Sequence, residues 1–147
     1  VNSDPAYALQ VGVVAALTGS ADLIAYFAGP PRVWDRVPAD ATTHIASFPY
    51  MTIGEDQLIP QTNQNTDCTE AFVKVEIWSR ANSKGEVKRL AGMVRAALDR
   101  PIDLVGHEVI THTAHGVIYR READGLTERA IYTQRYQTGP SVKLTPY

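Results

Sequence analysis

Two adjoining stretches constrain this chain more than any others. Residues 70–80, EAFVKVEIWSR, alternate apolar and polar side chains, the period of a strand whose two faces meet different surroundings. Ala71, Val73, Val75 and Ile77 fall on one face, which is expected to be core. Phe72, Lys74, Glu76 and Trp78 fall on the other, an amphipathic set that suits a sheet face partly covered by something else. Directly afterwards, residues 84–99 place Val87, Leu90, Ala91, Val94, Ala97 and Leu98 at helical spacing, so an amphipathic helix follows the strand. Ser83 and Glu86 match a capping box at its start, and Pro101 stops it.

The rest of the chain supplies partners for this unit. Asp4-Pro5 reads as an N-cap and first helical residue, with Leu9, Val13, Ala16 and Leu17 as a stripe, widened by Val11 and Val14, and Gly19 as its stop. Ser20–Phe27 reads as a second short helix, ended by Gly29-Pro30-Pro31. Residues 32–37 read as a short edge strand, 38–47 as a polar connector, and 50–55 as a strand with Pro49 at its start. Residues 56–69 turn polar and are read as a loop: either a hairpin tip or a partner-contacting arm. Gly12 and Gly92, alone within helices, read as close-packing points.

The last third reads as a hairpin of residues 107–121 and 127–138 around Asp124-Gly125, with 139–147 as an extended tail. A two-residue loop makes opposed residue numbers sum to 249, pairing Arg121 with Glu128, Val117 with Tyr132 and Thr113 with Tyr136. The same register sets Arg120 against Arg129 on the other face, which also holds Arg135. That clash calls for an acidic neighbour, for which an adjoining subunit is a candidate source.

The chain has 147 residues, 44% hydrophobic and 20% charged, enough for one domain with a core and no candidate for disorder. A net charge of −2 gives no basic field for wrapping nucleic acid. One cysteine, Cys68, excludes an internal disulfide and a multi-cysteine zinc site, and in its polar surroundings it reads as incidental and exposed. Apolar runs are too short to span a membrane and no secretory signal is legible, so a soluble intracellular domain is expected. The opening Val suits removal of an initiator Met, and with it a nearly entire product. His112 and His115, three apart on a strand, point to opposite faces and make a poor metal pair. The acids are scattered, the serines lack a nucleophile motif, and no glycine-rich phosphate loop forms. No catalytic, cofactor or metal residues are therefore assigned.

RVWDRVP (32–38), FPYMTIGED (48–56) and VEIWSR-x(5)-EVKRLAGMVRAAL (75–98), in this order and behind the helix ALQ-x-x-V-x-AALT (8–18), resemble the tail completion, or tail terminator, proteins of long-tailed phages and gene transfer agents. The resemblance covers most of the chain. It implies a single α+β domain: a mostly antiparallel or mixed sheet with the long C-terminal hairpin, packed against one main amphipathic helix and two short N-terminal ones. It implies a structural role without catalysis or cofactor, in a virion or phage-like particle assembled in the host cytoplasm. Members act as rings, generally hexamers, that cap the head-proximal end of a tail tube, end its growth and join it to the head. The implied partners are other copies of the chain, the tail tube protein and a neck or connector protein. DNA would pass through the lumen without specific binding, and no membrane is involved. Gln57, Asn63, Asn65, Lys74, Glu76, Trp78, Arg120, Arg129, Arg135, Lys143 and Tyr147 are the expected subunit or partner contacts. A neck connector or minor tail protein is the alternative, and a small hydrolase with a site between subunits a more distant one.

Overall fold

The long alternating strand sits where its burial demands, in the interior of the sheet. The computed structural model describes residues 4–37, 48–62 and 67–140. In chain order these form α1 (Ala6–Thr18), α2 (Ala21–Phe27), β1 (Val33–Trp34), β2 (Tyr50–Ile53), β3 (Gln57–Thr62), β4 (Asp67–Ser79), α3 (Gly85–Leu98), β5 (His107–Arg121) and β6 (Glu128–Pro140). The sheet runs β1-β2-β4-β6-β5, with β3 also paired to β4. β4 is long enough to hold β3 along its first half and β2 along its second half on one edge, and β6 along the other. Only β1–β2 is parallel, so the sheet is mixed and the domain is α+β, as the resemblance implied.

All three helices lie on one face. Ala71, Val73, Val75 and Ile77 are buried there against Val87, Leu90, Ala91, Val94, Ala97 and Leu98 of α3, both sets as their periodicities predict. Leu9, Val13, Ala16, Leu17 and Leu23 of α1 and α2 join the core, with Met51 and Ile53 of β2 and Ala130, Tyr132 and Tyr136 of β6. Each fully buried Leu, Val or Ile contributes about 1.5–3 kcal/mol, so this face fixes the fold. Gly12 is a close-packing point: a Cβ there would lie 3.0 Å from Leu104 and 3.1 Å from Ile102.

Several local expectations are corrected. Val11 does not widen the buried stripe but is 48% exposed. Pro5 rather than Asp4 occupies the N-cap of α1, although Asp4 Oδ1 still accepts the Ala6 N–H at 2.8 Å. The capping box of α3 does not form, because Glu86 accepts from Ser79 Oγ and Tyr26 Oη instead. That carboxylate ties β4, α2 and α3 together, and burial with the Glu86 bond pushes the Tyr26 phenol up to about 12. Gly92 touches nothing a Cβ would meet, so it is no packing point. Within the presumed loop 56–69, residues 57–62 and 67–69 are strand, with Gln57 and Gln61 on the open face of a ladder that satisfies the backbone, and 63–66 lie outside the described residues. Cys68 lies within β4, half-buried. The connector 38–47 and the tail beyond 140 lie outside the described residues.

The hairpin keeps the 249 register near its tip, Arg121↔Glu128 through Gly116↔Thr133, then departs from it. Register shifts between Ala114 and Gly116 and between Val109 and Thr111 set Thr113 opposite Arg135 and give Tyr136 to His112. The tip is wider than two residues. Glu122 N–H donates to Thr127 O, and Asp124 Oδ1 accepts from the N–H groups of Leu126 and Thr127. Those bonds hold the Asp124 carboxyl below its ordinary value.

Candidate interaction face

The second face of the sheet carries no helix among the described residues. Alternation places Glu70, Phe72, Lys74, Glu76 and Trp78 of β4 there, beside Arg129, Ile131, Thr133, Arg135 and Gln137 of β6. Glu76 is opposite Ile131 and Glu70 opposite Gln137, so each acid meets its arginine on the diagonal, two residues along. Arg129 bonds Glu76, and Arg135 Nη2 donates to Glu70 Oε2 at 3.1 Å. Gln61 Nε2 donates to the same oxygen at 2.9 Å. The Arg135 bond is the main reason that Glu70 is held below its ordinary 4.5.

Arg120 does face Arg129, as the register predicts, but the compensating acids belong to the same chain. Glu122 Oε1 lies 3.5 Å from Arg129 Nη1 and 3.6 Å from Arg120 Nε, and Glu76 takes the other side of Arg129. No neighbouring subunit is needed to relieve the clash. The turn residue folds back over the pair and does it within the hairpin.

At one end of this face the side chains become aromatic. Tyr50, only 3% exposed, has Trp34 at 5.2 Å, Phe48 at 4.9 Å and Trp78 stacked at 6.1 Å between centroids. Arg80 lies 4.5 Å over Phe48 and Arg129 4.6 Å over Trp78, both within cation–π reach. Trp78 Nε1 donates to Thr52 Oγ1 at 3.1 Å. The Phe48–Pro49 peptide is cis. Gly54 passes so close to Glu76 that a Cβ would lie 3.2 Å from its carboxyl carbon. Beside it an open depression of ≈ 550 Å³ is lined by Ile53, Gly54, Glu55, Lys74, Glu76, Arg129 and Ile131.

Of the residues expected to make contacts, Gln57, Lys74, Glu76, Trp78, Arg120, Arg129 and Arg135 share this face. Asn63, Asn65, Lys143 and Tyr147 lie outside the described residues. Glu76, Arg129 and Arg135 are spent on ion pairs, whereas Gln57 and Arg120 are exposed. The sequence reading missed Glu70, Glu122 and the aromatic cluster. A signal for the cluster was present: RVWDRVP, FPYMTIGED and VEIWSR contribute Trp34, Phe48, Tyr50 and Trp78, so the stretches that carry the resemblance converge in space. His112 stands on the helix face, 3.9 Å from Asp99, whereas the His115 ring meets Phe72 edge-on on the open face. Their separation is the one the strand periodicity predicts. No group of three metal-ligating side chains occurs among the described residues.

A family model described as "Tail completion protein gp17" matches residues 11–138, and the chain belongs to that family. Its place as a family member is the virion tail. Among solved structures, the fold is similar to a chain of the "Virion of native gene transfer agent (GTA) particle", with a TM-score of 0.82 at 19% identity. That match covers 94% of this chain and 99% of the other. No curated protein sequence matches.

Proposed function

We propose that the chain ends tail-tube growth at the head-proximal end, as a closed ring of six copies that also offers the joining surface to the head. The observation that carries this reading is the tail completion family match across residues 11–138. Fold similarity to a chain of a gene transfer agent virion supports a particle of the same general kind. The partners are then further copies of the chain, the tail tube protein and a neck or connector protein, and the action is assembly without catalysis or cofactor.

A closed ring needs head-to-tail contacts, with two different surfaces on every subunit. The open sheet face supplies one candidate through Gln57, Lys74, Trp78 and Arg120. Its ion pairs cancel most of its charge internally. That suits a ring through whose lumen DNA passes without binding specifically, since uncompensated arginines would hold phosphate.

Deleting the gene in a particle-producing source and viewing the products by negative-stain electron microscopy tests the role. Tubes of uncontrolled length beside tailless, DNA-filled heads are expected. Tubes of normal length that fail to join heads would move the role to a neck connector. Intact, infective or gene-delivering particles would overturn the assembly reading.

A further inference from the structure

The two ends of the sheet differ in how well they are closed. At one end β1 is two residues long, and β3 carries Pro60, which has no backbone N–H to offer. At the other, β5 runs for 15 residues without proline. Among the described residues its ladder partner is β6, apart from a bridge between Leu104 and His107 at its start. The outer edge of β5 is therefore where a long further strand fits.

This edge is also apolar. Ile110, Val117 and Ile118 are 51%, 37% and 63% exposed. Ile118 stands beside Ile131 on the open face, and a Cβ at Gly139 would lie 3.2 Å from Ile110 Cδ1 on that same face. Glu108 and Arg120, paired in the ladder with Gly139 and Arg129, share it too. Both are exposed, and among the described residues Glu108 has no ion pair. Arg120 has Glu122 at 3.6 Å but keeps 56% of its side chain exposed.

The order of these four residues is self-complementary. Glu108 and Arg120 each lie six residues from Ala114, and Ile110 and Ile118 each lie four. Two β5 edges laid antiparallel about Ala114 therefore set acid against base and Ile against Ile, once at each end. Val109 then falls opposite Tyr119 on the helix face. His107 falls opposite Arg121, which adds no attraction. The register shifts at Ile110 and His115 interrupt the strand between its ends, so the side-chain contacts concentrate at residues 108–110 and 118–120.

We propose that two copies of this chain associate through their β5 edges, antiparallel about Ala114, with Glu108–Arg120 pairs and Ile110–Ile118 contacts at both ends. Such a contact is isologous and closes at two copies. It belongs to the free subunit, whose long edge it keeps from pairing at random, and it parts before Arg120 meets a neighbour in a ring. The proposal does not rest on the ring.

Sedimentation velocity of the full chain carrying Cys68→Ser, over a range of concentrations, tests it. A monomer–dimer equilibrium is expected. Glu108→Arg alone, or Arg120→Glu alone, turns two attractive pairs repulsive and should weaken dimerisation about tenfold. The chain with both substitutions restores opposite charges at each end and should dimerise like the parent. Mixing the two single variants should give a mixed dimer. Urea denaturation of each variant confirms that it folds. A chain that stays monomeric throughout would overturn the proposal, as would a double variant that does not recover. A dimer indifferent to the single substitutions would also overturn it and assign the contact to another surface. Six-membered rings formed equally by every variant, with no dimer, would uphold the ring and overturn this contact.

Discussion

The two faces of the sheet are made from the same strands but by different rules. On the helix face Val73, Val75 and Ile77 meet Leu90 and Val94 in a mainly apolar, buried core, and a buried polar group such as Gln134 has its own partner, the Leu98 carbonyl. On the open face the residues between them are half-buried, charged or aromatic, and tied by diagonal ion pairs. The first arrangement derives its energy from area removed from water and admits a polar group only where it is hydrogen-bonded, as Gln134 and Ser79 are. The second gains little net energy from each pair but leaves a firm, nearly neutral surface. A sheet of this kind holds the subunit together through one face, and in the proposed reading the other meets partners.

The largest expected effect lies on the helix face. Leu90→Ala removes a fully buried side chain and should lower unfolding free energy by about 2–5 kcal/mol, read by urea denaturation. A loss under 1 kcal/mol would deny that this face dominates. On the open face, Arg129→Met strips Glu76 and Glu122 of their shared cation and should cost about 1–3 kcal/mol. Adding Glu76→Gln should recover part of it, with a coupling of about 1 kcal/mol in the double-mutant cycle. Simple additivity would mean that the pair does not act together.

Lys74→Glu combined with Arg120→Glu should sharpen the contrast. Neither residue is part of the core, so unfolding should move by only about 0.5 kcal/mol. Formation of complete particles in a complemented deletion should nevertheless fall by about tenfold, the equivalent of 1.4 kcal/mol at one contact. Full complementation would remove the open face from the list of working surfaces. The smallest effect is electrostatic. Glu70 has a depressed pKa, so its contribution to stability is complete above the ordinary carboxylate value and is lost as pH falls through the folded one. Carboxyl NMR should place its midpoint below 4.5, and Arg135→Ala should raise it towards that value. A midpoint unchanged by the substitution would show that Arg135 is not the cause.

Legibility in the sequence followed the same division. Burial acts on whole strips of residues, so the period-two strip of β4 and the period-3.6 strip of α3 named their core members in advance. The hairpin register was legible from Asp124-Gly125 only as far as Gly116, because nothing in the sequence announces a bulge. On the open face the relevant relations are between strands far apart in sequence. The Glu76–Arg129 and Glu70–Arg135 diagonals depend on the β4–β6 register, which no local pattern specifies. Glu122 was overlooked because turn residues are read for backbone geometry, not for what their side chains fold back upon. Residues 57–62 read as loop from sequence because polarity there suggests irregular backbone. Instead they lie in a ladder beside β4, and a strand there has no need of an apolar run.

The central claim is that this subunit closes the tube and turns its ion-paired sheet face inward upon other components. Cryo-electron microscopy of the head–tail junction tests it most directly. The account predicts a single ring of this fold on the last tube ring, with Lys74, Trp78 and Arg120 facing a neighbour, the tube or the lumen. Copies spread along the tube, or a ring whose open face forms the outer surface of the particle, would contradict it.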